Sequence, residues 1–180
     1  MSKLLKIQIR HVDHKKDGTV KKVHKWKTAH SLTAQFAQIL GIIMSTVAAN
    51  VKATDGSTNS TSNHVSLLSG NAGEGVDTKG ILIGVGTTPP ARSDYQIETE
   101  LISNVTYSIA TFEILNPVAD DWHILIHRTF TNNTGAAFDV TEVALYSLGN
   151  VGYSFCLDHS AYGIHFGIGE QKTVTYKIQL

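Results

Sequence analysis

The chain has 180 residues, 42% of them apolar, and its fifteen Lys and Arg balance fifteen Asp and Glu. That length suits one domain with a buried core. The single cysteine, Cys156, excludes an intrachain disulfide, and a formal charge of zero argues against uniform coating of nucleic acid.

Neutrality hides a polarity along the chain. Residues 1–30 hold nine bases against two acids, a balance of +7, whereas residues 31–180 hold six bases against thirteen acids, a balance of −7. A charge dipole of this kind favours head-to-tail or interlocking self-association. No stretch approaches the ~18 apolar residues of a membrane span. Met1 to Lys6 lacks the apolar core of a secretory signal. The expectation is a soluble protein made in a cytoplasm, with no membrane partner.

Residues 3–12 alternate, with Leu5, Ile7 and Ile9 on one face and Lys6, Gln8 and Arg10 on the other. Asp17-Gly18 and a second run over 19–27 complete a β-hairpin. Its polar surface is basic: Lys6, Arg10, Lys15, Lys16, Lys21, Lys22, Lys25 and Lys27, with Trp26 among them. Lysine guards exposed edge strands, and arginine is scarce in this patch. Docking onto an acidic protein surface is therefore favoured over nucleic acid.

Over 31–47 the period changes. Leu32, Phe36, Ile39, Leu40, Ile43, Met44 and Val47 fall on one helical face, with Ser31 placed as N-cap. Residues 48–79 are rich in Ser, Thr, Asn and Gly and read as a loop or arm able to reach a neighbour, with one short strand near 65–68. From Gly80 the pattern is β: strands are predicted over 81–85, 95–102, 105–115, 122–131, 139–148, 153–159 and 172–180, with turns at Pro89-Pro90, Asn132 to Gly135 and Gly149-Asn150. The whole predicts a mainly β, antiparallel, jelly-roll-like β-sandwich in one domain, with an N-terminal hairpin and one amphipathic helix.

Residues able to carry chemistry are present, but their spacing is not the spacing chemistry needs. Gly84-x-Gly86 follows a strand, yet Pro89-Pro90 stands where a phosphate-binding helix would start. His123 and His127 would be ~13 Å apart along a strand, at ~3.3 Å per residue. His11, His14, His24 and His30 are spread through a hairpin whose charge repels a cation, so no metal site is expected. Asp158-His159-Ser160 lists the residue types of a catalytic triad, but neighbours in a strand point to opposite faces. Glu98 and Glu100 could share a strand face as a glycosidase pair would, although solvated glutamates explain them as well. No catalytic residue and no cofactor are expected. One alternative is a carbohydrate-binding module for host adhesion, with Trp122, Tyr153, Tyr162 and Phe166 as a stacking platform.

Three segments resemble a known group. Gly80 to Glu98 (GILIGVGTTPPARSDYQIE), Arg128 to Gly135 (RTFTNNTG) with Val140 to Tyr146 (VTEVALY), and Gly169 to Ile178 (GEQKTVTYKI) are similar to stretches of small virion structural proteins of tailed phages and related prokaryotic viruses. The order of hairpin, helix and Ser/Thr-rich stretch is similar too, so the likeness spans nearly the whole chain. Cys156-Leu157-Asp158 and Ala144 depart from the group's pattern at packing positions. The resemblance implies a jelly-roll-like fold and a homo-oligomer, for example a trimer. It also implies attachment to the major capsid protein or other virion proteins, as a capsid decoration, minor capsid, collar, baseplate or tail component, and localisation in the virion.

Overall fold

A computed structural model describes residues 5–29, 32–45, 48–61, 69–101, 103–117, 122–148 and 153–179. Strand β1 (Lys6–His14) follows its alternation, burying Ile7, Ile9 and His11 and turning Gln8 and Arg10 outward. It pairs antiparallel with β12 (Gln171–Gln179), Lys6 opposite Gln179 and Asp13 opposite Lys172. Its other edge pairs with β2 (Val20–Val23) and β3 (Lys27–Thr28). Gly18, at φ 81°, makes the turn, and the Asp17 carboxylate accepts the Thr19 N–H at 2.9 Å. The predicted basic hairpin is thus one margin of a larger sheet.

That sheet continues through β9 (His123–Asn132), which pairs with β12. β7 (Val105–Tyr107) and β8 (Thr111–Leu115) share the far edge of β9. The sequence predicts one strand over 105–115; the structure breaks it at 108–110, where Ser108 Oγ accepts the Thr129 N–H at 2.9 Å. A second sheet runs in the order β11 (Ser154–Phe166), β10 (Phe138–Leu148), β6 (Gly80–Gly84). β11 extends well past the predicted 159, because Tyr162, Ile164 and Phe166 keep an inward-facing alternation. The predicted strand over 95–102 is reduced to one bridge, Gly84 with Glu100.

The 48–79 stretch differs from its reading as an open arm. β4 (Ala49–Lys52) and β5 (Thr58–Thr61) form a hairpin around Gly56, at φ 83°. Residues 69–79 are held against the sheets by Arg128, as described below. The strand predicted at 65–68 lies outside the described residues.

Helix α1 (Ala34–Ser45) is the predicted helix, shortened and rotated. Ser31 lies outside the described residues. Thr33 is the cap: its Oγ1 accepts the Phe36 N–H at 3.3 Å and donates to the Cys156 carbonyl at 2.5 Å, anchoring the first turn to β11. The buried stripe is Gln35, Ile39 and Ile42, whereas Leu40 and Met44, predicted inward, are exposed. The helix docks on β11 and β4, and that contact rather than the full apolar arc sets its rotation.

The protein is mainly β, all its strand pairs are antiparallel, and both larger sheets contribute to one buried cluster. Ile9, Phe130, Val174 and Tyr176 enter it from the first sheet, and Leu82, Val143, Phe155 and Phe166 from the second. No helix among the described residues is long and apolar enough to cross a membrane.

Candidate functional site

Three buried polar groups gather hydrogen bonds, two of them from loops and one from neighbouring strands. The first is the Glu142 carboxylate on β10. Its Oε1 accepts the N–H groups of Gly86 and Thr99 at 2.8 and 2.9 Å, and its Oε2 accepts that of Glu98 at 3.1 Å. His159, from β11, places Nε2 2.7 Å from Glu142 Oε2 and Nδ1 2.7 Å from Asp94 Oδ2. A carboxylate oxygen beside each ring nitrogen favours two N–H donors, which is the imidazolium form. Burial opposes charge on both partners. The two carboxylates nevertheless raise the His159 pKa, and His159 with the three backbone N–H groups lowers that of Glu142.

This network explains the glycines of the 84–99 loop. A Cβ at Gly86 would stand 2.5 Å from Glu142 Oε1, and one at Gly84 would stand 2.5 Å from the Thr99 carbonyl. Both positions lack a side chain because a carboxylate and a backbone fill that space, not because a phosphate approaches. Glu98, read from sequence as half of a paired-carboxylate site, accepts the N–H groups of Thr87 and Thr88, each at 2.7 Å. Asp94 accepts the Ala91 N–H at 2.7 Å, and Tyr146 Oη accepts that of Ile97 at 2.5 Å.

The second group is Arg128 on β9, fully enclosed. Nε donates to the Ser108 carbonyl at 3.0 Å, and Nη1 to those of Lys79 and Ile81 at 3.0 Å. Nη2 donates to Gly73 at 3.3 Å and to Val76. Desolvation lowers its pKa to about 10, which leaves it charged at neutral pH. Close by, Glu100 has a buried Oε1 without a hydrogen-bond partner. Burial, then Asp77, pushes its carboxyl up to about 7 against the pull of Arg128.

The third group is Asp158, whose Oδ2 accepts from Tyr176 Oη at 2.9 Å and from Ser160 Oγ at 2.8 Å. Asp158, His159 and Ser160 are all buried, but His159 is engaged by Glu142 and Asp94 instead of by its chain neighbours. The triad residue types are divided between two networks. Cys156 is wholly enclosed, and burial raises its thiol pKa, which makes it a packing residue.

The basic residues lie where the hairpin predicts. Lys15 and Lys16 flank the turn and Lys21, Lys22 and Lys25 line the outer margin, all exposed, with Lys21 3.7 Å from Glu170. Lys6 is exposed at the start of β1. Trp26 lies under the Arg10 guanidinium, 4.3 Å from the ring centre, and 4.7 Å from Lys177 Nζ; Lys27 lies 5.0 Å from the Tyr162 ring. The stacking platform is not assembled. Trp122 is 49% exposed and Tyr153 half-buried, but Tyr162 is 3% exposed beneath His11, and Phe166 is fully buried against Phe138. A sugar ring cannot reach two of the four.

The histidines give a juxtaposition that the sequence reading missed. His11 and His24 face each other across the hairpin, their rings stacked at 3.7 Å, with Asp13 two residues along the same strand. The signal was the i, i+2 pair His11 and Asp13 together with a cross-strand His, and it depends on the hairpin register. His127, by contrast, contacts Thr175 and Glu113.

No protein-family model, no curated protein and no solved structure matches the chain.

Proposed function

We propose that this chain is a non-catalytic structural protein of a virus particle, a capsid decoration or head-associated component that self-associates and docks on other virion proteins. A tail, collar or baseplate position is the second reading. The resemblance of three segments to small virion proteins motivates the setting, and a jelly-roll-like sandwich is the finer description of the two sheets that goes with it.

The observation that carries the assembly reading is the character of the two margins of the seven-stranded sheet. One margin is β2, whose exposed sequence Val20-Lys21-Lys22-Val23 is short and lysine-rich. The other is β8, where Phe112 and Ile114 are 45% and 68% exposed on either side of Glu113. Among the described residues no strand covers the outer edge of either. An edge with unpaired N–H and C=O groups is a template for another strand. In the proposed contact β2 of one copy adds to β8 of the next, its lysines near Glu113, and the added strand shields Phe112 and Ile114. Such a head-to-tail contact is heterologous and closes into a ring when the rotation allows. The +7 and −7 halves of the sequence supply the same polarity over a longer range.

The motif residues support a structural role. Gly86, Asp94 and Glu142 belong to the segments that carry the resemblance, and each is used to fix the 84–99 loop. Mass spectrometry and cryo-microscopy of purified particles from the encoding virus test the setting. The expected result is the chain at stoichiometric copy number on the particle surface; its absence from particles overturns the proposal.

A further inference from the structure

Beside the basic hairpin, three side chains with metal-ligating atoms lie close together. His11 and Asp13 lie on β1, and His24 follows β2, with its N–H donating to the His11 carbonyl at 3.0 Å. His24 Nε2 is 3.1 Å from Asp13 Oδ2, and His11 Nε2 is 3.7 Å from Asp13 Oδ1. One potential ligand atom from each residue lies within 4.8 Å of the other two.

We infer that His11, His24 and Asp13 form a binding site for a divalent ion of the zinc class, two imidazole nitrogens and one carboxylate oxygen on one face of a β-hairpin. Ligand atoms around zinc stand ~2.0–2.2 Å from the ion, so neighbouring ligands are about 3.3 Å apart in a tetrahedral site. His24 Nε2 stands 3.1 Å from Asp13 Oδ2 and His11 Nε2 3.7 Å from Asp13 Oδ1, so each imidazole already faces one oxygen of the same carboxylate. Gathering both nitrogens and one oxygen around an ion requires the Asp13 carboxylate to turn and the stacked rings to open.

The surroundings suit a ligand set. His11 Nδ1 is 3.2 Å from Tyr162 Oη, which leaves Nε2 to face Asp13, the second-sphere arrangement that orients metal-binding imidazoles. The competing cation is Lys172, with Nζ 2.7 Å from Asp13 Oδ1. It has a second partner in Glu170, at 3.2 Å, and can stay with that carboxylate when an ion takes Asp13. Its charge opposes a bound cation and lowers affinity. Asp13 and His24 are partly exposed, so an ion can enter from solvent, and an open coordination position is left for water. Bound metal would join β1 to the segment after β2 and clip the hairpin to the sheet.

Calorimetric titration of the full chain with ZnCl2 tests the site, alongside His24→Gln and His14→Gln. His14 bonds Gly18 and Thr173 and serves as a hairpin histidine outside the set. The expected result is one ion per chain for wild type and His14→Gln, at least ~100-fold weaker binding in His24→Gln, and slower amide exchange over 20–23 on adding zinc to wild type. A melting curve checks that His24→Gln, a change at a partly exposed position, is folded. No binding by wild type, or a folded His24→Gln protein within tenfold of wild type, overturns the inference.

Discussion

At the scale of single residues, the chain buries Glu142 and Arg128 and satisfies both largely with backbone groups. Glu142 is the clearest example, with three N–H donors and an imidazolium on two oxygens. Removing one member of a buried, hydrogen-bonded ion pair costs about 3–5 kcal/mol, so Glu142→Gln should lose stability of that order in a urea titration. The pH dependence has a definite sign. His159 is raised above its usual 6.5, so its contribution is complete below 6.5 and fades as pH rises through its folded pKa. Glu142 is lowered below its usual 4.5, so its contribution is complete above 4.5 and fades as pH falls through its folded pKa. The stability difference between wild type and His159→Gln should therefore be greatest between pH 4.5 and 6.5 and shrink on both sides. Glu100 acts in the opposite sense. Raised from 4.5 to about 7, it favours the folded state at low pH and progressively disfavours it as pH climbs through that interval. Glu100→Gln should gain on wild type between pH 5 and pH 8, by about 2 kcal/mol after allowance for partial solvent screening; parallel curves would contradict the assignment.

At the scale of elements, periodicity was informative for β1, whereas the alternating second half of β11, beyond residue 159, went unread. β1 was visible as alternation, β9, β10 and β12 as β-rich runs between turn signals, and the turn at Asn132 to Gly135 as turn chemistry; Asn132 Oδ1 accepts the Thr134 N–H at 2.9 Å there, and Gly135 takes φ 76°. Elements that depend on distant partners were not visible. The 95–102 segment has the composition of a strand but spends its N–H groups on Glu142 and Tyr146. Those acceptors lie 44 and 49 residues away in sequence. The buried face of α1 is likewise fixed by β11 and β4, which periodicity within the helix cannot identify. Residues 69–79 were read as part of an arm because Ser, Thr and Gly dominate the region, yet Arg128 gathers three of their carbonyls. The glycines of the 84–99 loop offer a direct check. Gly86→Ala introduces a methyl group 2.5 Å from a buried carboxylate, where overpacking costs about 1–3 kcal/mol. Ala at Gly163, which has nothing within 4 Å, should be nearly silent by the same thermal melt.

For the molecule as a whole, Glu98 and His159 are used in closing the 84–99 loop and Tyr162 and Phe166 in packing, while the charged and apolar margins of the large sheet stay exposed. The histidine cluster needed the hairpin register to become visible, and the stacking platform failed because alternation in β11 turns Tyr162 and Phe166 inward. The central claim is edge-to-edge assembly, and the oligomeric mass by light scattering at low and high salt tests it most directly. Attraction between exposed charges is screened over ~8–10 Å at ordinary ionic strength. Wild type should be a multimer at low salt that loses mass as salt rises, and Ile114→Lys, an exposed substitution at the β8 edge, should be monomeric throughout. A wild-type monomer at every salt concentration, or an Ile114→Lys protein that assembles like wild type, would contradict the account.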